Sequence, residues 1–177
     1  MGKAAFGLLI TGILTVLQLV GGVEQATGAV FGGYTLDGGV VLDQVSVMPP
    51  FDEVDVRLLA ARYLQQKGIS LASGRGRGEL ILNLAVSGQN QKTYHWYWLL
   101  LWPFHGLATD HVTLSADFTV IDPAENRMLA KHTVKADAYE SALFSDFRPV
   151  EWLYKEALQK ALDSGAAGLV AGAKSRR

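Results

Sequence analysis

The chain of 177 residues has no cysteine. That excludes disulfides, thiolate nucleophiles and the zinc ribbons and fingers that depend on thiolate ligands. There is no Asn-x-Ser/Thr sequon and no excess of either charge, with 16 Lys and Arg against 17 Asp and Glu. A nucleic-acid-binding domain normally shows a clustered basic footprint. Nucleic acid is therefore not an expected partner. No close-spaced His/carboxylate motif of the H-E-x-x-H kind occurs among the four histidines, His95, His105, His111 and His132.

Charge is also missing from two stretches of unusual composition. One is residues 94–104, Tyr-His-Trp-Tyr-Trp-Leu-Leu-Leu-Trp-Pro-Phe, which holds Trp96, Trp98 and Trp102 out of four tryptophans in the chain. Read as a strand, it places Tyr94, Trp96, Trp98, Leu100 and Trp102 on one side, because strand side chains alternate faces. Tyr97 and Phe104 add two more rings. Tryptophan and tyrosine concentrate where one end of the ring is apolar and the other wet, at membrane boundaries and protein interfaces. Rings filling a core are the competing explanation. The predicted binding residues are thus Tyr94, Trp96, Tyr97, Trp98, Leu100, Trp102 and Phe104.

The other uncharged stretch runs from Ala4 to Val23 after Lys3. A positive residue, an apolar run and then small residues (Ala26, Gly28, Ala29) is the order of a secretory signal. At about 20 residues the run is also long enough to span a bilayer as a helix. Residues 1–29 are expected to be a signal sequence or membrane anchor. Leu19-Val20-Gly21-Gly22 has the shape of a bacterial lipobox, with Gly22 where the lipidated cysteine would stand.

Residues 24–39 are rich in Gly, Ala and Thr and read as a tether or an irregular entry segment, with 30–39 as the linker. Val40–Val47 has the branched residues of a strand, stopped by Met48-Pro49-Pro50. Asp52 caps a helix with an acidic first turn (Glu53, Asp55) that ends near Lys67, before Gly68. The run Gly74-Arg75-Gly76-Arg77-Gly78 precedes a strand instead of opening a helix, so it lacks the order of a phosphate-cradling loop. It reads as a flexible link. Glu79–Ser87 alternates with Leu80, Leu82, Leu84 and Val86 inward. Residues 110–139 form a β-hairpin about the turn at Asp122-Pro123-Ala124-Glu125-Asn126. Val150, Leu153, Tyr154, Ala157, Leu158, Ala161 and Leu162 mark a helix, with Glu151 and Trp152 off its stripe. The Ala/Gly-rich end is expected to fray, and 171–177 to be a flexible basic tail.

The predicted order is β-α-β-β-β-α: an α+β sandwich of two layers, with two helices on one face of a mostly antiparallel sheet, preceded by an apolar amino-terminal helix. Residues 40–170 form the single domain.

Catalytic candidates are thin. His105, Asp110 and His111 lie near one another in sequence and Ser115 follows. A nucleophilic serine needs a sharp turn and a base within hydrogen-bond reach, whereas Ser115 falls mid-strand between Leu114 and Ala116. Metal binding by His95, His105 and His111 would need convergence from a loop. His132 beside Lys131 reads as a rim residue, and Asp137 with Glu140 as a solvated acidic pair. The expectation is no enzyme, no cofactor and no metal.

The element order, together with Met48-Pro49-Pro50-Phe51, Tyr63-Leu64-Gln65-Gln66-Lys67-Gly68-Ile69, Leu80-Ile81-Leu82-Asn83-Leu84 and Asp122-Pro123, resembles small Gram-negative envelope accessory lipoproteins. These include the lipopolysaccharide-assembly lipoprotein and the related TolB amino-terminal-like fold group. Gly33-Tyr34-Thr35-Leu36 is similar to the Cys-Gly-Tyr-x-Leu opening of the former, with Gly32 in the cysteine's place. The resemblance implies a non-enzymatic periplasmic role with a protein partner. With the apolar lead and the aromatic run, the leading expectation is an exported envelope accessory protein that meets a membrane or membrane-protein complex. A second copy of the chain is a further candidate partner. The alternatives are a periplasmic carrier of an apolar ligand such as a lipid, and a hydrolase needing His105, Asp110 and His111 to converge.

Overall fold

Branched residues over Val40–Val47 form strand β3, which pairs in parallel with β4 (Leu80–Tyr94), from Val40 opposite Leu80 to Val47 opposite Val86. A parallel pair cannot be joined by a tight turn and needs a crossover. Helix α1 (Glu53–Gln66) supplies it. In this computed structural model the described residues are 23–24, 28–30, 34, 36, 39–72, 79–94, 108–142 and 149–174.

Local chemistry sets both ends of α1. Asp52 Oδ1 accepts from the backbone N–H of Val54 (2.8 Å) and of Asp55 (3.3 Å), a cap that contributes about 1 kcal/mol. At the other end Gly68 has φ +82°, and Ile69 N–H reaches back to the Leu64 carbonyl at 3.0 Å. This left-handed stop favours glycine through its backbone angle, since open space surrounds the position. Val56, Ala60 and Leu64, spaced at four residues, are the face that α1 buries.

Strands β4, β5 (Ala108–Asp122) and β6 (Arg127–Ala142) are an antiparallel meander. The β5–β6 turn is closed by Ala124 N–H on Asp122 Oδ1 at 2.9 Å and by Asn126 at φ 48°. Alternation along β5 is strict: Val112, Leu114, Ala116, Phe118 and Val120 are buried, and their neighbours are partly open. The even positions face the helix layer, in which α2 (Val150–Lys174) lies across β5 and β6 and α1 lies against β3. The expected two-layer α+β sandwich, in the order β-α-β-β-β-α, is the observed one. The apolar amino-terminal helix falls on residues outside the described ones.

Four elements differ from expectation. First, short pieces ahead of Val40 join the sheet. Val23–Glu24 (β1) and Gly28–Val30 (β2) both pair antiparallel with β6, completing a six-stranded sheet in the order β1-β6-β5-β4-β3 with β2 also on β6. Tyr34 is buried beyond them, its hydroxyl donating to the Leu169 carbonyl at 3.2 Å. Second, β4 continues past Ser87 to Tyr94. The polar run Gln89–Thr93 has little strand propensity of its own, but each residue there finds a ladder partner on β5.

Third, α2 runs beyond Leu162 to Lys174, and its Ala/Gly-rich half is packed: Ala161, Ala166 and Leu169 are buried. The reason is steric. A Cβ on Gly165 would collide with the Phe118 ring, and one on Gly168 with the ring of His132. Small residues let the helix axis approach the sheet where those two large side chains, cross-strand partners in β5 and β6, rise towards it. Fourth, His132 is therefore not a rim residue. It is half-buried under α2, and loss of water around its ring lowers its pKa below the usual histidine value.

Candidate functional site

Strand β4 ends at Tyr94, the first residue of the aromatic run. Alternation and register place Lys92, Asp110 and Glu140 in one row across β4, β5 and β6 on the helix-layer face, and Tyr94, Ala108 and Ala142 in the next row. Tyr94 is the one predicted binding residue among the described ones, and it is 67% exposed. Trp96, Tyr97, Trp98, Leu100, Trp102 and Phe104 lie outside the described residues, as do His95 and His105.

Asp110 is the buried charge of this row, 2% exposed. Its Oδ2 lies 3.7 Å from Lys92 Nζ, a charge contact longer than a hydrogen bond, and its Oδ1 is buried without a hydrogen-bond partner. Lys92 Nζ also stands 6.0 Å from the centroid of the Tyr94 ring, at the outer reach of a cation–π contact. One ammonium thus stands between the buried carboxylate and the exposed ring from which the uncharged run continues in the sequence. An unpaired carboxylate so buried would be costly.

The opposite face of the sheet is open and polar. His111 Nε2 lies 3.3 Å from Asp137 Oδ1 without the alignment of a hydrogen bond, an ion pair only when the imidazole is protonated. The imidazole edge meets the Tyr139 ring at 6.3 Å between centroids and 77° between planes. Asp137 is accordingly not simply solvated. Farther along the same face, Lys131 Nζ reaches Asp117 Oδ2 at 3.4 Å and Thr133 Oγ1 donates to Asp117 Oδ1 at 2.6 Å.

This geometry separates the catalytic candidates. Asp110 and His111, adjacent in sequence, point to opposite faces of β5. Ser115 shares the face of His111 but stands four residues along the strand, about 13 Å at the rise of a strand. No nucleophile and base are brought together by these three residues. Among the described residues no cluster of three His, Asp or Glu side chains is placed to hold a metal ion.

The other exposed large apolar side chains are spread over the fold, Leu58 along α1 and Met128 at the start of β6 beside the β5–β6 turn among them. Met48 follows β3 and donates its N–H to the Val86 carbonyl at 3.2 Å; Val54 and Trp152 stand in the first turns of α1 and α2. Tyr154 of α2 lies against Gly88 of β4, which sets that helix start over the Tyr94 half of the sheet. The Lys92–Asp110 pair had no signature in either strand alone. Trp152 did, because it lies off the apolar stripe of α2. Among the described residues no helix is long and apolar enough to cross a membrane.

No protein-family model matches the chain, and no curated protein matches it. Solved structures do resemble it in outline. A minor lipoprotein from Acinetobacter baumannii aligns at 13% identity and a TM-score of 0.48, over 78% of this chain and 92% of that one. The rare lipoprotein B from Shewanella oneidensis aligns at 14% identity and a TM-score of 0.45, over 75% of this chain and 95% of that one. The PelC dodecamer from Paraburkholderia phytofirmans aligns at 16% identity and a TM-score of 0.41, over 79% of this chain and 96% of that one. At these scores the likeness carries no weight for function.

Proposed function

We propose that this chain is a non-enzymatic accessory component of a bacterial envelope assembly, exported by its apolar lead and held on the periplasmic side of a membrane. Residues 94–104 are its contact element, meeting lipid or a membrane-embedded partner through Trp96, Trp98 and Trp102. The observation that carries this reading is Tyr94. Its ring is exposed at the end of a strand of 15 residues, and the uncharged aromatic run continues from that point. Aromatic anchors commonly dominate interface energetics. The separation of Asp110 from His111 by the sheet supports a role without catalysis by that pair.

The test is the triple change Trp96→Ala, Trp98→Ala and Trp102→Ala. The variant is expected to leave the membrane fraction while keeping the urea midpoint of the parent. Fractionation like the parent would refute the contact role. Global unfolding would instead assign the rings to a core.

A further inference from the structure

The helix layer carries a second surface that the aromatic segment does not explain. Residues 52, 55, 56 and 59 of α1 and its cap face residues 151, 154, 155 and 158 of α2, each set at spacings of three, four and seven along its helix. Between them opens a groove of about 480 Å³. Lys67 Nζ on Asp163 Oδ1, at 2.7 Å, ties the helices together beyond it.

The floor is apolar. Phe51 and Tyr154 meet edge to face at 5.6 Å and 88°, and Val56, Leu59 and Leu158 line the rest. The rim is acidic, with Asp52, Asp55 and Glu151 against the single ammonium of Lys155. Beside the rim, Val54 and Trp152 are 63% and 60% exposed. A groove of this size with an apolar floor holds one or two large side chains. Three carboxylates around it repel anionic headgroups and attract a cationic flank.

We infer that this groove docks a basic amphipathic segment of a protein partner, one that seats an apolar side chain between Tyr154 and Leu59 and sets Lys or Arg against Asp55 and Glu151. Helix-in-groove recognition works in this way, with apolar anchors supplying affinity and rim charges selecting the partner. The site lies wholly on described residues and does not depend on residues 95–104.

The experiment uses the full chain in dodecyl maltoside micelles and a fluorescent Leu/Lys amphipathic peptide as probe, with its Leu/Glu counterpart as control. Anisotropy should show salt-sensitive binding of the Leu/Lys peptide only, and hydrogen exchange should slow at 50–59 and 151–158. In the Asp55→Lys, Glu151→Lys variant that binding should weaken by about tenfold or more and the Leu/Glu peptide should bind instead. If circular dichroism shows that variant misfolded, Asp55→Asn with Glu151→Gln should still weaken the Leu/Lys peptide severalfold.

Equal binding by parent and charge variants would overturn the proposal, as would protection elsewhere on the protein. Protection of the groove by phosphatidylcholine vesicles but not by the peptide would make it a lipid site. Protection that rises with protein concentration alone would assign it to a second copy. The Trp96, Trp98, Trp102 triple variant should bind the peptide like the parent, so this surface and the aromatic contact can fail separately.

Discussion

Gly168 of α2 sits directly over the ring of His132 on β6, with no room between them for a methyl group. One turn earlier Gly165 stands in the same relation to Phe118 of β5. Glycine inside a helix ordinarily costs about 1 kcal/mol relative to alanine. Here Gly165→Ala and Gly168→Ala should each destabilise the fold instead, by about 1–3 kcal/mol, the usual cost of overpacking a core. Urea denaturation of the two single variants measures it; unchanged or raised midpoints would show that the helix can lift off the sheet freely.

His132 ties stability to pH. Burial lowers its folded pKa below the ordinary value of 6.5. The folded state therefore binds fewer protons than the unfolded chain once the pH falls below that value. Stability is complete above it and is lost as the pH drops from about 6.5 towards the folded pKa. His132→Gln should flatten the fall in urea midpoint between pH 7.5 and 5.5. A slope equal to the parent's would move the effect to other groups.

Lys92 is the partner within charge contact of the buried Asp110. Lys92→Met should cost about 1–2 kcal/mol, below the range for a fully buried pair because Lys92 is 41% exposed and partly screened. Adding Asp110→Asn should recover part of the loss by removing the orphaned charge. A double-mutant cycle on thermal unfolding gives the coupling; strict additivity would mean that the two charges do not interact.

The sheet also bears on processing of the lead. A mature chain starting at Val30 would lack β1 and most of β2, leaving the backbone groups of β6 that they pair without partners. Sequencing the amino terminus of protein from its native membrane fraction should therefore find a start at or before Val23. A start at Val30 would show that β6 tolerates an open edge.

Much of the fold could be read in the chain because its signals are local. Asp52 and Gly68 mark the ends of α1 through hydrogen bonds and a backbone angle that involve only a few neighbouring residues. The alternation Val112, Leu114, Ala116, Phe118, Val120 marks a half-buried strand in the same way. The second half of α2 could not be read so. Gly165 and Gly168 are weak helix formers and Ala166 and Ala167 carry little apolar surface, and the crowding beneath the glycines comes from Phe118 and His132, distant in sequence. The polar end of β4 was hidden for a similar reason, since its strand character is supplied by β5.

By itself, then, the amino-acid sequence determined the α+β class, the element order and the uncharged aromatic run after Tyr94, because periodicity, caps and composition act over short spans. Tertiary structure alone decided which residues meet. It paired Lys92 with Asp110, turned His111 to the far face, set β1 and β2 on β6, and formed the acidic groove between α1 and α2. Each of these depends on strand register or helix packing, which brings together residues that no local pattern connects.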